Sequence, residues 1–166
     1  DAGLQSATVA TAISAGPSDE SAQSVSFVVT PVSSDPTLTF ASAPTINASG
    51  VVDYVADANA WGSATFNVVA QDNGGTANGG NDTSAAQTLT ITITPVNDAP
   101  SFTAANPAPS AEDAGAQTVA GWVSAFDPGA NETGQTVAEY VVSDVVNSGL
   151  FSAGPAVSAE GTLSYT

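Results

Sequence analysis

The sequence has 166 residues, of which 42% are hydrophobic, enough for a packed core, and its 16 carboxylates are accompanied by no Lys, Arg or His, so the net charge is −16. Without basic side chains the chain cannot neutralise phosphate groups, which excludes nucleic acid and anionic membrane surfaces as partners. The absence of His, Lys and Cys also removes catalytic triads, thiol catalysis, disulfides and zinc-thiolate sites, so we expect no enzyme.

Four segments alternate apolar and polar residues with a period of two, which is the pattern of half-buried β-strands. In chain order, their inward-facing residues are Val25, Phe27 and Val29; Val52 and Tyr54; Ala64, Phe66 and Val68; and Leu89, Ile91 and Ile93. Turn signals such as Asp35-Pro36 and Asn73-Gly74-Gly75 separate the segments. No part of the sequence has the pattern of a long helix. The sequence therefore predicts an all-β protein of immunoglobulin-like, Greek-key β-sandwiches.

An internal repeat connects the two ends of the sequence. Asp1–Gln5 recurs as Asp113–Gln117, and Gly50–Tyr54 recurs as Gly161–Tyr165. Between them, Gln23-Ser24-Val25 recurs as Gln135-Thr136-Val137. The offset stays near 112 residues, which is the size of one β-sandwich domain.

The repeat predicts two incomplete domains. Residues 1–96 are expected to form a β-sandwich repeat that lacks its first strand, and residues 97–166 a second repeat that lacks its last strands. The linker Pro95–Pro100 has a proline at each end, which excludes helix and stiffens the connection. We expect the chain to be a window from a longer array of such repeats.

Three segments carry a resemblance to a known class of repeats: Pro95–Phe102, the Gly- and Asn-rich stretch Gln71–Thr83, and Glu112–Gly115. They resemble the bacterial cadherin-like and immunoglobulin-like tandem repeats of giant extracellular adhesins and other large surface proteins. The resemblance implies a structural or adhesive extender that is secreted or on the bacterial cell surface. Its partners would be neighbouring repeats of the same chain or of sister chains.

The resemblance also implies calcium between successive domains. The residues that match the family's ligand positions are Asn97, Asp98, Glu112 and Asp127, and Asp57 would substitute in a loop where the sequence departs from the family's pattern. Calcium prefers carboxylate, amide and backbone oxygens, which these residues supply. The match is partial, because the Asp127 loop has one acid where the family often has two, and Asn59 is an alternative to Asp57. Asn and Asp are also common in linkers simply because they form turns.

Three other functions stay open from the sequence. Trp61 and Trp122 would suit a carbohydrate-binding module if they were exposed for stacking on a sugar ring of a surface glycan, whereas packing in the core is the alternative. Self-assembly into an extracellular filament is a second possibility, because incomplete sandwiches leave open strand edges. A pair of carboxylates of the glycosidase type is the third, since it needs no basic residue.

Overall fold

The computed structural model describes residues 3–166. Asp1 and Ala2, which begin the first copy of the repeated segment and the predicted first domain, lie outside the described residues. The chain divides between Val96 and Asn97 into two compact units, called unit 1 and unit 2 below. The regular structure of the described residues is antiparallel strands and three single 3-10 turns, so the prediction of an all-β protein is confirmed.

Unit 1 contains two three-stranded antiparallel sheets. Its strands are β1 (Gln5–Thr8), β2 (Val25–Ser34), β3 (Phe40–Ile46), β4 (Val51–Ala56), β5 (Gly62–Asp72) and β6 (Gln87–Ile93). One sheet has the order β1-β4-β3 and the other the order β2-β5-β6. β5 is the central strand of the second sheet, where it pairs with β2 on one side and β6 on the other.

The core of unit 1 lies between these two sheets. Its buried cluster consists of Leu38, Ala64, Phe66 and Ile91. The facing sheet contributes Phe40, whose ring meets that of Tyr54 edge to face at 5.9 Å and that of Phe66 at 6.0 Å. Three of the four side chains in this cluster belong to β5 and β6, and the facing sheet adds the buried Ile46 and Val52, so both sheets contribute the apolar burial that stabilises the unit.

The alternation predicted for β6 is confirmed within the strand. Leu89, Ile91 and Ile93 face the core, and the threonines between them are exposed. The strand ends at Ile93. Proline has no backbone N–H to donate to a ladder, so Pro95 does not continue the pairing.

Unit 2 has shorter strands and a smaller core. Its strands are β7 (Ser101–Ala104), β8 (Gln117–Val119), β9 (Val123–Asp127), β10 (Ala156–Val157) and β11 (Leu163–Tyr165). One sheet has the order β10-β11-β8, and β7 pairs with β9 in a second. Within residues 97–166, all of which are described, Leu163 is the one buried hydrophobic side chain.

The two units contain the same strand pairing. In unit 1, β1 places Gln5 opposite Tyr54, and in unit 2, β8 places Gln117 opposite Tyr165. Tyr165 meets Phe151 edge to face at 5.9 Å, the separation found for the corresponding rings of unit 1. The sequence repeat therefore corresponds to a repeated local structure.

The tight turn that precedes β4 also recurs before β11. The N–H of Gly50 donates to the carbonyl of Asn47 at 2.9 Å, and the N–H of Gly161 donates to that of Ser158 at 2.8 Å. Both glycines have left-handed backbone angles, with φ of +78° and +80°. This conformation favours glycine, which explains why the repeat keeps glycine at both positions.

Two repeated segments form a strand in one unit and no strand in the other. Val25–Ser34 is β2 in unit 1, whereas the corresponding residues 137–146 of unit 2 form no strand. Val123–Ala125 lies in β9, whereas Ile13–Ala15 of unit 1, which it matches in sequence at an offset of 110 residues, is irregular. In each case the strand forms in the unit that also contains its pairing partner, β5 for β2 and β7 for β9.

Candidate functional site

The predicted ligands lead to a loop of unit 2, Asp127–Gln135, called the acidic loop below. It begins where β9 ends. The backbone N–H of Asp98 donates to Oε1 of Glu132 at 3.0 Å, and Nε2 of Gln135 donates to Oδ1 of Asn97 at 3.0 Å. These two hydrogen bonds fasten the segment before β7 to the acidic loop.

A glycine allows this close approach. Gly129 has a φ of +123°, and a Cβ on it would lie 2.8 Å from the Cβ of Asp98 and 2.6 Å from Oε2 of Glu132. The N–H of Gly129 donates to Oδ1 of Asp127 at 3.0 Å, which closes the start of the loop. A larger residue at position 129 would displace the Glu132 carboxylate or the side chain of Asp98.

One carboxylate oxygen of the acidic loop lacks a donor. Oε2 of Glu132 is buried and accepts no hydrogen bond from the described residues. The chain has no Lys, Arg or His that could neutralise it. Burial of a charged oxygen without a donor is costly, so a cation at this position would compensate the charge.

The structure brings three of the five predicted ligands to the acidic loop. Asn97 and Asp98 are fastened to it, and Asp127 is its first residue. Glu112 instead lines a shallow depression of about 400 Å³ together with Phe151 and Tyr165. Of the four predicted ligands in unit 2, three therefore lie at the acidic loop, and Glu112 does not.

Asp57, the fifth predicted ligand, belongs to unit 1 and follows β4. Its backbone N–H donates to the carbonyl of Thr39 at 3.0 Å, and its carbonyl accepts from the N–H of Ala60 at 3.2 Å. Within residues 3–166, no three acidic side chains converge closely enough to hold a metal ion. The described geometry thus does not by itself make up a calcium site.

Sequence reasoning missed Glu132, although the repeat contains the signal for it. In unit 1 the N–H of Gln23 donates to the carbonyl of Glu20 at 2.9 Å, and in unit 2 the N–H of Gln135 donates to that of Glu132 at 2.9 Å. Both glutamates lie three residues before a repeated glutamine. Extending the Gln23–Gln135 match by three residues towards the N-terminus identifies the pair.

The Gly- and Asn-rich loop between β5 and β6 is closed by its own hydrogen bonds. Asp72 donates its N–H to the carbonyl of Asp82 at 2.9 Å, and Ser84 donates its N–H to the carbonyl of Ala70 at 2.9 Å. Oδ1 of Asn73 accepts the N–H of Ser24 at 2.9 Å. The polar residues of this loop therefore hold its two ends together and fasten it to the start of β2.

The two tryptophans are partly buried. The side-chain hydroxyl of Thr37 donates to the backbone carbonyl of Trp61 at 2.8 Å. The indole N–H of Trp122 is buried without an acceptor among the described residues. Both side chains thus combine a packed part with an exposed part, as is common for tryptophan.

No family model, curated protein or solved structure gives a match to this chain. Across residues 3–166 there is also no helix with the length and hydropathy needed to cross a bilayer.

Proposed function

We propose that the chain is an extender segment, structural or adhesive, of a large bacterial protein that is secreted or displayed on the cell surface. It consists of tandem immunoglobulin-like, cadherin-like sandwiches joined by the Pro95–Pro100 linker. The observation that carries this proposal is the repeated framework, in which β1–β4 and β8–β11 have the same register about 112 residues apart. Its partners are neighbouring repeats of the same chain or of sister chains.

Composition supports a structural function over a catalytic one. Carboxylates are the only side chains in the sequence that could act as a general base near neutral pH. High negative charge keeps a long, repetitive protein dispersed in a saline medium, where ions screen its self-repulsion. The linker supports an extended arrangement, because prolines at both ends restrict the backbone.

Small-angle scattering of proteins with two, four and six complete repeats tests the proposal. A stiff extender gives a maximum dimension that rises in proportion to the number of repeats. A collapsed assembly gives a dimension that rises only as about the cube root of the number, as expected for compact bodies. A cube-root dependence would contradict the extender proposal.

Calcium at the domain junction remains part of the proposal through the resemblance. Asp98 and the acidic loop are the residues that would take part, but an ion there needs further oxygens from backbone or water. If calcium binds at ten times its dissociation constant, the free energy of unfolding rises by about 1.4 kcal/mol. We expect a higher melting temperature of a two-repeat protein in calcium than in chelator.

A matched pair of variants makes the calcium test specific. Asp98→Asn should remove the response to calcium, whereas Asp144→Asn, which alters an exposed carboxylate outside the acidic loop, should keep it. Equal melting temperatures with calcium and with chelator would rule calcium out.

A carbohydrate-binding module is the second candidate, and the partial exposure of Trp61 favours it. A glycan array tests this candidate, with binding expected to disappear in Trp61→Ala. Absence of binding across a broad array would eliminate it and leave the extender proposal intact.

A further inference from the structure

We infer that residues 137–150 of unit 2 form a docking surface for a β-hairpin with the sequence pattern of β5–β6. This hairpin follows β11 along the chain, as β5 follows β4. The inference deepens the proposed repeat architecture and rests on it. It names which residues receive the hairpin, which strand they pair with and which apolar side chains become buried.

Two apolar residues of this segment, Val141 and Leu150, are exposed although their counterparts in unit 1 pack in the core. Leu38 is 3% exposed, whereas Leu150 is 77% exposed. The two leucines hold the same place, because each donates its N–H to a carbonyl three residues earlier, at 3.0 Å to Asp35 and at 2.9 Å to Asn147. The difference in burial therefore comes from what covers them and not from their local conformation.

In unit 1 the cover is the β5–β6 hairpin. Leu38 belongs to one buried cluster with Ala64 and Phe66 of β5 and Ile91 of β6. Val29 of β2 packs against the same cluster. Its counterpart in unit 2 by the 112-residue offset is Val141, which is 77% exposed. Unit 2 contains no strand that corresponds to β5 or β6.

The backbone of the segment lacks a partner in the same way. In unit 1 the ladder of β2 runs from the pair Val25–Asp72 to the pair Ser34–Ala64. The corresponding residues 137–146 have one bridge, between Tyr140 and Val157. A segment without a ladder partner is a site for strand addition.

The register of the docked hairpin follows from the repeat. In β2, Val29 lies opposite Val68 of β5, so Val141 would lie opposite the Val68 position of the incoming strand. That strand turns its Ala64 and Phe66 positions towards Leu150 and Phe151, as β5 does towards Leu38 and Phe40. The partner is thus an apolar-faced hairpin whose first strand alternates small and large inward side chains.

The experiment extends the full chain with a second copy of residues 56–96 placed after Thr166, because Tyr165 corresponds to Tyr54. Amide hydrogen exchange of residues 137–146 is the measurement. We expect exchange to slow by about tenfold or more in the extended chain, towards the values of β2. A control extension carries Phe66→Ser and Ile91→Ser in the appended copy and should leave exchange unchanged.

Two variants of the docking surface provide a matched comparison. Val141→Asp alters the side chain that corresponds to core-packed Val29, and Val142→Asp alters its neighbour, which corresponds to exposed Thr30. In the extended chain, Val141→Asp should abolish the protection and Val142→Asp should keep it. In the parent chain both should leave the melting temperature unchanged, because both valines are already exposed.

Three outcomes overturn the inference: fast exchange in the extended chain, equal protection by the control extension, or protection in the parent chain that rises with protein concentration. The last would show that a second molecule covers the surface. Scattering of the same extended chain separates this inference from the proposed function. If the particle is elongated but residues 137–146 are not protected, only the docking inference is contradicted. If the particle is compact and these residues are protected, only the extender proposal is contradicted.

Discussion

Gly50 and Gly161 occupy the same turn in the two units, and each is required by its surroundings as well as by its backbone angle. A Cβ on Gly50 would overlap the carbonyl oxygen of Ala10, which passes directly above it. A Cβ on Gly161 would lie 2.8 Å from the Cβ of Val123. The carbonyl of Gly50 also accepts the N–H of Val9 at 2.8 Å, so the close approach is part of the strand pairing.

We predict that Gly50→Ala lowers the free energy of unfolding of unit 1 by about 2–3 kcal/mol, through left-handed strain and displacement of Ala10. Gly75→Ala is the control, since Gly75 has a φ of +76° but nothing within 4 Å of its Cβ position. That variant should cost about 1 kcal/mol from the backbone angle alone. Chemical denaturation measures both, and equal costs would show that the contact with Ala10 is unimportant.

At the scale of elements, the two units show how far alternation determines a strand. The period-two pattern predicted β2, β5 and β6, because their inward side chains meet a facing sheet in the same unit. The same repeat did not make residues 137–146 a strand, because unit 2 lacks the strand that pairs with them. A local pattern specifies which face a residue takes, whereas pairing depends on a distant segment.

Phe66 illustrates the dependence of unit 1 on β5. It is 6% exposed and packs against Phe40. We predict that Phe66→Ala lowers the free energy of unfolding by about 3–5 kcal/mol, through lost burial and a cavity between the sheets. Val32→Ala, in β2 at 57% exposure, should cost about 0.5 kcal/mol or less. Urea denaturation compares them, and a small loss for Phe66→Ala would place the core elsewhere.

The candidate site was less predictable than the strands. The linker residues Asn97 and Asp98 were identifiable from the sequence, since turn-forming acids and amides are distinctive beside proline. The position of Glu132 beside them depends on the left-handed Gly129 and on a hydrogen bond across 34 residues. Such a contact follows from the loop conformation and leaves no periodic signal in the sequence. The description of each unit as a truncated sandwich stays a prediction.

At the scale of the whole molecule, all electrostatic balance must come from the solvent. The chain has 16 carboxylates and no Lys, Arg or His, so no side-chain ion pair can form. Counterions therefore compensate the negative charges that basic side chains compensate in other proteins. Screening is strong only when the Debye length is shorter than the distances between neighbouring carboxylates, which requires high ionic strength.

We predict that the melting temperature rises with salt. Between about 0.01 and 1 M ionic strength the Debye length falls from about 30 Å to about 3 Å. A gain of about 1 kcal/mol would raise the melting temperature of a unit of this size by about 4–8 °C. NaCl and KCl should act equally, since screening depends on ionic strength. Calorimetry measures the shift, and a flat dependence would show that repulsion is negligible.

A charge-reduced variant is the control for the salt prediction. Asp19, Glu112, Glu139 and Asp144 are exposed carboxylates that can be changed to their amides without disturbing the core. The variant should melt higher than the parent at low salt and respond less to added salt. An identical response in both proteins would assign the effect to the general influence of salt on apolar burial.

The position of β6 at the end of unit 1 has a consequence for how the protein is synthesised. The buried cluster of Leu38, Ala64, Phe66 and Ile91 is complete only when Ile91, in the last strand of unit 1, has left the ribosome. Strand pairs this far apart in sequence form slowly, and translation adds only about 5–20 residues per second. Nascent unit 1 would therefore expose valine-rich segments for several seconds, an interval in which the uniform negative charge of the chain discourages association with other nascent chains.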